Sequence, residues 1–179
     1  MGFPRFFPLP PVSFATVIIG LLSDTHDRFK SAQAAVQTLR ANGAQYLLHA
    51  GDVGEESIID LLSGGPAAFV WGNNDMRCTS LAQYAADVGV TCLDSSGELE
   101  LDGKKIALAH GDHDKAVRRI LEEQQHDYLI TGHTHMRHDR RVGRMRWINP
   151  GALHRVGVKT VALLDTSSDL LRSITVHVL

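Results

Sequence analysis

Five apolar runs in this chain each lead into a side chain able to bind a metal ion, and that repetition constrains the fold more than anything else in the sequence. Val17–Leu22 runs into Asp24 and His26, Tyr46–Leu48 into Asp52, and Ala67–Trp71 into Asn73. Lys104–Ala109 ends at His110, and Tyr128–Thr131 stops just before His133 and His135. Short runs rich in branched and aromatic residues, bounded by polar residues and glycine, read as buried strands. In open α/β sheets, ligands gather beyond the carboxyl ends of the strands. The pattern therefore predicts one rim on which residues scattered from Asp24 to His135 converge. Carboxylate oxygen, amide oxygen and imidazole nitrogen, without thiolate, suit a metal of intermediate hardness.

The segments between the runs predict the layers. Phe29 to Arg40 places Ala32, Ala35, Val36 and Leu39 at helical spacing, and Asn42-Gly43 supplies a stop. Glu55 to Leu62 reads as a short helix closed by Ser63-Gly64-Gly65-Pro66. This β-α-β-α-β alternation implies right-handed crossovers and a largely parallel first sheet. Further on, Glu98–Leu101 and Lys104–Ala109 flank Asp102-Gly103, a two-residue hairpin turn. A helix is expected from Asp114 to Gln124, then hairpins around Val142-Gly143 and Thr166–Asp169 that would supply a second, mainly antiparallel sheet. The expected architecture is an α/β four-layer sandwich: two sheets with helices outside. It occupies residues 16–179 as one domain, behind a flexible extension over residues 1–15, where prolines interrupt any run resembling an export signal.

Glycines at 51, 72 and 132 precede Asp52, Asn73 and His133, and are expected to let the backbone turn sharply where strand meets loop. One residue separates His133 from His135, so in an extended segment the two rings point the same way. The formal net charge of −2 gives no global sign of nucleic acid or an anionic membrane as partner. Cys78 and Cys92 stand in no zinc or redox spacing and read as reduced thiols of a cytoplasmic protein. No apolar run approaches the ~20 residues that span a bilayer.

Taken together, D-x-H at Asp24–His26, G-D at Gly51-Asp52, G-N-x-D at Gly72–Asp75, H-G at His110-Gly111 and G-H-T-H at Gly132–His135 resemble the calcineurin-like metallophosphoesterases. N-P-G at Asn149–Gly151 brings the resemblance nearest to their small bacterial and archaeal phosphodiesterase branch. The resemblance implies the metallophosphatase fold, two mixed sheets flanked by helices, and two divalent ions. One ion is held by Asp24, His26 and His135, the other by Asn73, His110 and His133, with Asp52 bridging. Manganese leads the candidate metals, with iron, zinc, cobalt and nickel suited to the same donors. Two carboxylates against two divalent ions leave about two surplus positive charges, or one with a bound hydroxide, which attract a phosphate anion. Ions roughly 4 Å apart activate water and stabilise an in-line displacement. The expected activity is hydrolysis of phosphodiesters, with Asp52, Asn73, Asn74 and His110 as the catalytic set. A phosphomonoesterase and a non-catalytic protein-binding scaffold are the alternatives.

Two positions depart from the pattern. Asn74 stands where many members carry a histidine, and an amide cannot transfer a proton at neutral pH. Asp112 stands where the branch often has histidine; either it faces the metals less directly or His113 compensates. His49 reads as a core or supporting histidine rather than a ligand, Asp75 as a residue that orients a histidine or caps a loop, and Asn149 as either a turn residue or a support of the site. Arg137, Arg140, Arg141, Arg144 and Arg146 form a basic hairpin. It reads as a solvated face before it reads as a docking edge for polyanions, and Trp147 as packing before a base-stacking platform. Loops Met76–Ser80 and Asp112–Lys115 would shape the pocket. The expected substrate is a small phosphate ester, with nucleotides or short oligonucleotides open. A strand over Ser173–Leu179 would allow a homo-oligomer.

Overall fold

A computed structural model describes residues 17–76 and 79–178; the expected extension over 1–15, together with Cys78, lies outside the described residues. The first sheet is built on β1 (Ile18–Leu22), β2 (Tyr46–His49), β3 (Ala67–Phe69) and β4 (Val90–Cys92), all parallel. Helices α1 (Phe29–Ala41), α2 (Glu56–Leu62) and α3 (Thr79–Asp87) make the crossovers. The second sheet comprises β5 (Ser96–Leu101), β6 (Lys104–Ala109), β7 (Tyr128–Ile130), β8 (His138–Val142) and β9 (Met145–Asn149), with α4 (Asp114–Glu123) between β6 and β7. The chain closes with β10 (Thr160–Asp165) and β11 (Leu170–Thr175).

Strand order is β11-β10-β1-β2-β3-β4 in one sheet and β5-β6-β7-β9-β8 in the other. Two expectations fail here. The last hairpin belongs to the first sheet, because β10 pairs antiparallel with β1. The second sheet is mixed rather than mainly antiparallel: β6–β7 and β7–β9 are parallel, while β5–β6 and β8–β9 are antiparallel. Hairpin turns fix only the pairing of their own two strands, so neither placement could be read from the turns. The C-terminal strand ends at Thr175, short of the expected range. Elements α3 and β4 lie where the sequence reading predicts none. Only Leu81 and Ala85 of α3 are buried, and β4 is three residues long, so neither carries a usable period.

Side-chain alternation sorts the core into layers. Ile19 and Leu21 of β1 face Ile106 and Leu108 of β6, together with Ile130 and Ile148, across the space between the sheets. Leu22 and Phe69 point the other way, into Ala35, Leu39, Ile58 and Leu62 of α1 and α2. On the far side Ala107 and Leu129 pack under Val117 and Ile120 of α4. Helices, sheet, sheet and helix make the four layers. Among the described residues no helix is long and apolar enough to cross a membrane.

Candidate metal centre

The predicted rim forms where the ends of β1, β2 and β3 meet the ends of β6 and β7. Asp24 N–H donates to Gly51 O at 3.0 Å, and the N–H groups of Thr25 and His26 both donate to Asp52 O at 3.0 Å, so the loops after β1 and β2 share one backbone scaffold. Gly132 N–H donates to His110 O at 2.9 Å and joins the loops after β6 and β7 in the same way. Five of the seven expected ligands (Asp24, His26, Asp52, His133 and His135) have positive φ between 45° and 64°. A left-handed backbone costs a residue bearing a Cβ roughly 1–2 kcal/mol, and such strain gathers where geometry serves function.

This conformation corrects the extended reading of His133 and His135. Their rings diverge: His133 Nδ1 lies 3.0 Å from Asn73 Oδ1, whereas His135 Nε2 lies 3.3 Å from Asp24 Oδ1. The glycine argument is also only partly right. Gly51 has φ of +91° and needs its freedom. Gly72 and Gly132 are required instead by close approach. A Cβ on Gly72 would sit 2.1 Å from Asp52 Oδ1, and one on Gly132 would sit 2.8 Å from Asp24 Oδ2.

The donor atoms of Asp24, His26 and His135 all lie within 4.8 Å of one another, and those of Asp24, Asp52 and His110 do likewise. Asp24, which the resemblance places on one ion only, reaches both groups. Asn73 Oδ1 sits 3.1 Å from His110 Nε2, bringing the amide, His110 and His133 together. Asp52 Oδ2 lies between the groups, 3.1 Å from His26 Nε2 and 3.4 Å from His110 Nε2.

The proton inventory shows what this cluster suits. His110 Nδ1 is 2.8 Å from Ala50 O, a carbonyl that can only accept, so Nδ1 carries a proton. In the neutral ring Nε2 is then a lone pair, and it faces two oxygens, Asn73 Oδ1 and Asp52 Oδ2. Buried Asp24 Oδ2 and His26 Nε2 have no hydrogen-bond partner, although His26 Nε2 touches Asp52 at a distance that would permit one. Converging acceptors with orphaned buried atoms fit a cation. The carboxylates are driven apart: burial pushes Asp24 above its ordinary pKa, while Asp52 is held below its own because His110 and two Asn74 donors outweigh burial. Burial alone would lower His110, but Asp52 and Ala50 raise it, so a cation at Nε2 competes with a proton.

Supporting residues surround the cluster. Thr25 Oγ1 lies 2.8 Å from Val53 O and 3.0 Å from both Asp52 O and His49 Nε2. The hydroxyl has one proton to give to a carbonyl, so His49 Nε2–H donates to it. His49 is fully buried and its pKa is pushed down to about 3 by that burial, so it is a neutral strut and not a ligand. Asp75 accepts from Gly72 N–H at 2.7 Å and Gly54 N–H at 2.8 Å; it ties two loops and orients no histidine. Asn149 Nδ2 donates to Gly132 O at 2.7 Å while Oδ1 accepts from Gly151 N–H, so it supports the site through the turn.

Asn74 donates to Asp52 through its backbone N–H and through Nδ2, both at 2.9 Å, which aims its amide at the carboxylate. Asp112 and His113 pair with each other at 3.0 Å. The expected loop Met76–Ser80 gives way to α3 at Thr79. Sequence reasoning missed His154, whose ring stacks 4.6 Å from His26, and Arg28, which donates to it. The N-P-G turn just before His154 was the available signal.

Residues 17–169 match the calcineurin-like phosphoesterase superfamily domain. The chain belongs to this superfamily. Its members hydrolyse phosphoester bonds. A phosphodiesterase of Methanocaldococcus jannaschii is 28% identical over 164 residues, covering 89% of this chain and 99% of that one. The solved structure of an archaeal phosphodiesterase superposes with a TM-score of 0.83 at 26% identity, covering 89% and 100% of the two chains. Vps29 of Entamoeba histolytica shares the fold alone, with a TM-score of 0.63 at 20% identity over 90% of this chain and 100% of that one.

Proposed function

We propose that this calcineurin-like phosphoesterase cleaves phosphodiesters of small molecules, nucleotides or short oligonucleotides at a dinuclear centre. Asp24, His26 and His135 would hold one ion, Asn73, His110 and His133 the other, and Asp52 would bridge them. The carrying observation is Asp52 Oδ2, a buried carboxylate oxygen set between the ring nitrogens of His26 and His110 at 3.1 and 3.4 Å. Two divalent ions held there would supply the Lewis acidity needed to activate an attacking water and offset charge on the phosphoryl oxygens. The oxygen and nitrogen donor set favours manganese, with iron, zinc, cobalt and nickel as workable substitutes.

The chain's own residues do the rest. Asn74 fixes both oxygens of Asp52, Ala50 O fixes the His110 ring, and the His49–Thr25 strut fixes the Asp52 backbone. Because Asn74 has no proton to give and is turned to Asp52, the departing oxygen receives no proton from this position, and esters with good leaving groups are favoured. The jannaschii phosphodiesterase, matched almost end to end, supports diesters over monoesters. The scaffold reading loses weight because every expected donor is a competent ligand.

The test is turnover of bis(p-nitrophenyl) phosphate and p-nitrophenyl phosphate by metal-stripped protein titrated with manganese. Metal-dependent turnover favouring the diester is expected, and Asp52→Asn should abolish it. Wild-type turnover by that variant sinks the bridging assignment.

A further inference from the structure

The two ligand groups hold their histidine rings by different means. His110 Nδ1–H is fixed by Ala50 O at 2.8 Å, and His133 Nδ1 lies 3.0 Å from Asn73 Oδ1. The His26 ring has no such anchor. Among the described residues its one polar contact is Nε2 with Asp52 Oδ2 at 3.1 Å, inside the cluster itself. A histidine that binds a metal ordinarily gives its second ring nitrogen to a carbonyl or carboxylate, and that bond sets the direction of the ring. His26 takes its direction from packing instead.

The packing partner is His154, whose ring centroid lies 4.6 Å from that of His26 with the planes inclined at 45°. His135 also meets the ring, edge-on at 5.5 Å, but it belongs to the same ligand group. His154 is fixed from two sides. Fully buried Leu153 sends its backbone N–H to Asp24 O at 3.3 Å, and Ser23 Oγ–H donates to Gly151 O at 2.6 Å. The chain leading into His154 is thereby tied to the loop after β1. On the other side Arg28 Nε–H donates to His154 Nδ1 at 3.1 Å, joining residues 126 positions apart. A guanidinium can only donate, so Nδ1 accepts and the rotation of the ring is set. Arg28 is held in turn by its own N–H, which donates to Thr25 O at 3.0 Å.

We propose that Arg28 and His154 are a brace that orients the His26 ring and so raises the affinity of the Asp24, His26 and His135 group for its ion. Both are positioning residues: they act through His26. The inference rests on the dinuclear phosphoesterase reading and gives one of its two ions a support that the other lacks. Among the described residues neither Arg28 nor His154 contacts Asn73, His110 or His133.

The experiment measures manganese binding to the metal-stripped full chain by calorimetry. His154→Ala should weaken one ion about tenfold and leave the other within about twofold. Arg28→Ala should weaken the same ion, because the ring it releases can turn away from His26. His154→Phe keeps a ring beside His26 and should recover most of the lost affinity. Wild-type affinity for both ions in His154→Ala overturns the brace. A loss shared equally by both ions does so too, as does a loss that His154→Phe fails to recover. Turnover of bis(p-nitrophenyl) phosphate by the wild type, measured in parallel at saturating manganese, keeps the two readings apart. Turnover with both ions unaffected in His154→Ala removes the brace alone. A selective loss without wild-type turnover supports the brace and removes the phosphoesterase reading. A wild type that binds fewer than two manganese ions overturns the brace together with the dinuclear centre.

Discussion

The metal rim and the β8–β9 hairpin both concentrate polar side chains where the two sheets meet, and they leave them in opposite states. On the rim, buried Asp24 Oδ2 and His26 Nε2 lack partners, lone pairs face lone pairs, and five ligand candidates hold left-handed backbone. At the hairpin each arginine is engaged. Arg146 binds Asp139 through Nε at 2.8 Å and a terminal nitrogen at 2.7 Å, and reaches Asp169 Oδ1 at 2.7 Å. Arg141 pairs with Asp169, and Arg144 with Asp127. Arg137 donates to Ser173, and Arg140 lies 3.9 Å over the ring of Trp147. Tyr128 Oη adds a bond to Asp169 at 2.9 Å. Strands β7, β8 and β9 of the second sheet are thus clamped to the β10–β11 turn of the first. Charge that is fully answered within the chain holds the chain together. Charge left unanswered is addressed to something outside it. Arg141 and Arg146 are therefore a clamp before they are a docking edge, and one face of Trp147 is already taken by Arg140.

The comparison breaks most visibly at His110. If the rim's lone pairs exist to bind metal, His110→Ala should empty one of two metal positions and leave the other filled, with turnover down at least about a hundredfold. Metal analysis of purified protein decides it: two equivalents retained in that variant would sink the assignment. Fold stability should also fall, by about 1–3 kcal/mol, because the substitution takes from Ala50 O the Nδ1–H that satisfies it and leaves a gap where a fully buried ring sat.

A smaller effect is expected one layer out. His49→Leu removes the donor to Thr25 and with it the strut under Asp52, so metal affinity should fall about 10–100-fold while the protein stays folded. The leucine also eliminates the buried, unpartnered Nδ1 of His49. Manganese titration followed by paramagnetic resonance checks this, and unchanged affinity would make His49 mere packing.

This layering also explains what could be read from the sequence. The convergence of the strand-end residues Asp24, Asp52, Asn73 and His110 was legible because the end of an apolar run fixes where a residue sits, whatever the topology. Placement of the last hairpin was not legible, because the pairing of β10 with β1 joins residues such as Ile18 and Asp165 that no local pattern connects. The divergence of His133 and His135 was equally hidden. Spacing predicts direction only once φ is known, and a left-handed backbone at a histidine is set by its surroundings. Gly72 and Gly132 could be flagged as special, but only the fold distinguishes a turn from a close approach. Among the arginines, sequence showed a cluster; of the carboxylates answering it, Asp139 lies in the hairpin itself, but Asp127 and Asp169 stand 19 and 23 residues from Arg146.

The smallest expected effects test the other side of the comparison, the clamp. Arg146→Met should lower stability by about 1–3 kcal/mol while turnover stays within about twofold, since Arg146 is far from the reacting groups in role. The origin of that loss can be separated by pH. Arg146 holds Asp139 below the ordinary carboxylate pKa; Asp169 is lowered too, although burial opposes it, by Arg146 and Tyr128. A carboxylate with a depressed folded pKa contributes stability that is present above its unfolded value of about 3.9 and is lost as pH falls through the folded value. The margin of wild type over Arg146→Met should therefore hold above about pH 5 and shrink as pH falls from about 5 toward about 2. Asp139 is 41% exposed, so solvent screening keeps its share below about 1 kcal/mol. Urea unfolding of both proteins across that range reads the margin directly. A margin that does not change with pH would mean that the arginine stem, only 12% exposed, stabilises the clamp by contact rather than by charge.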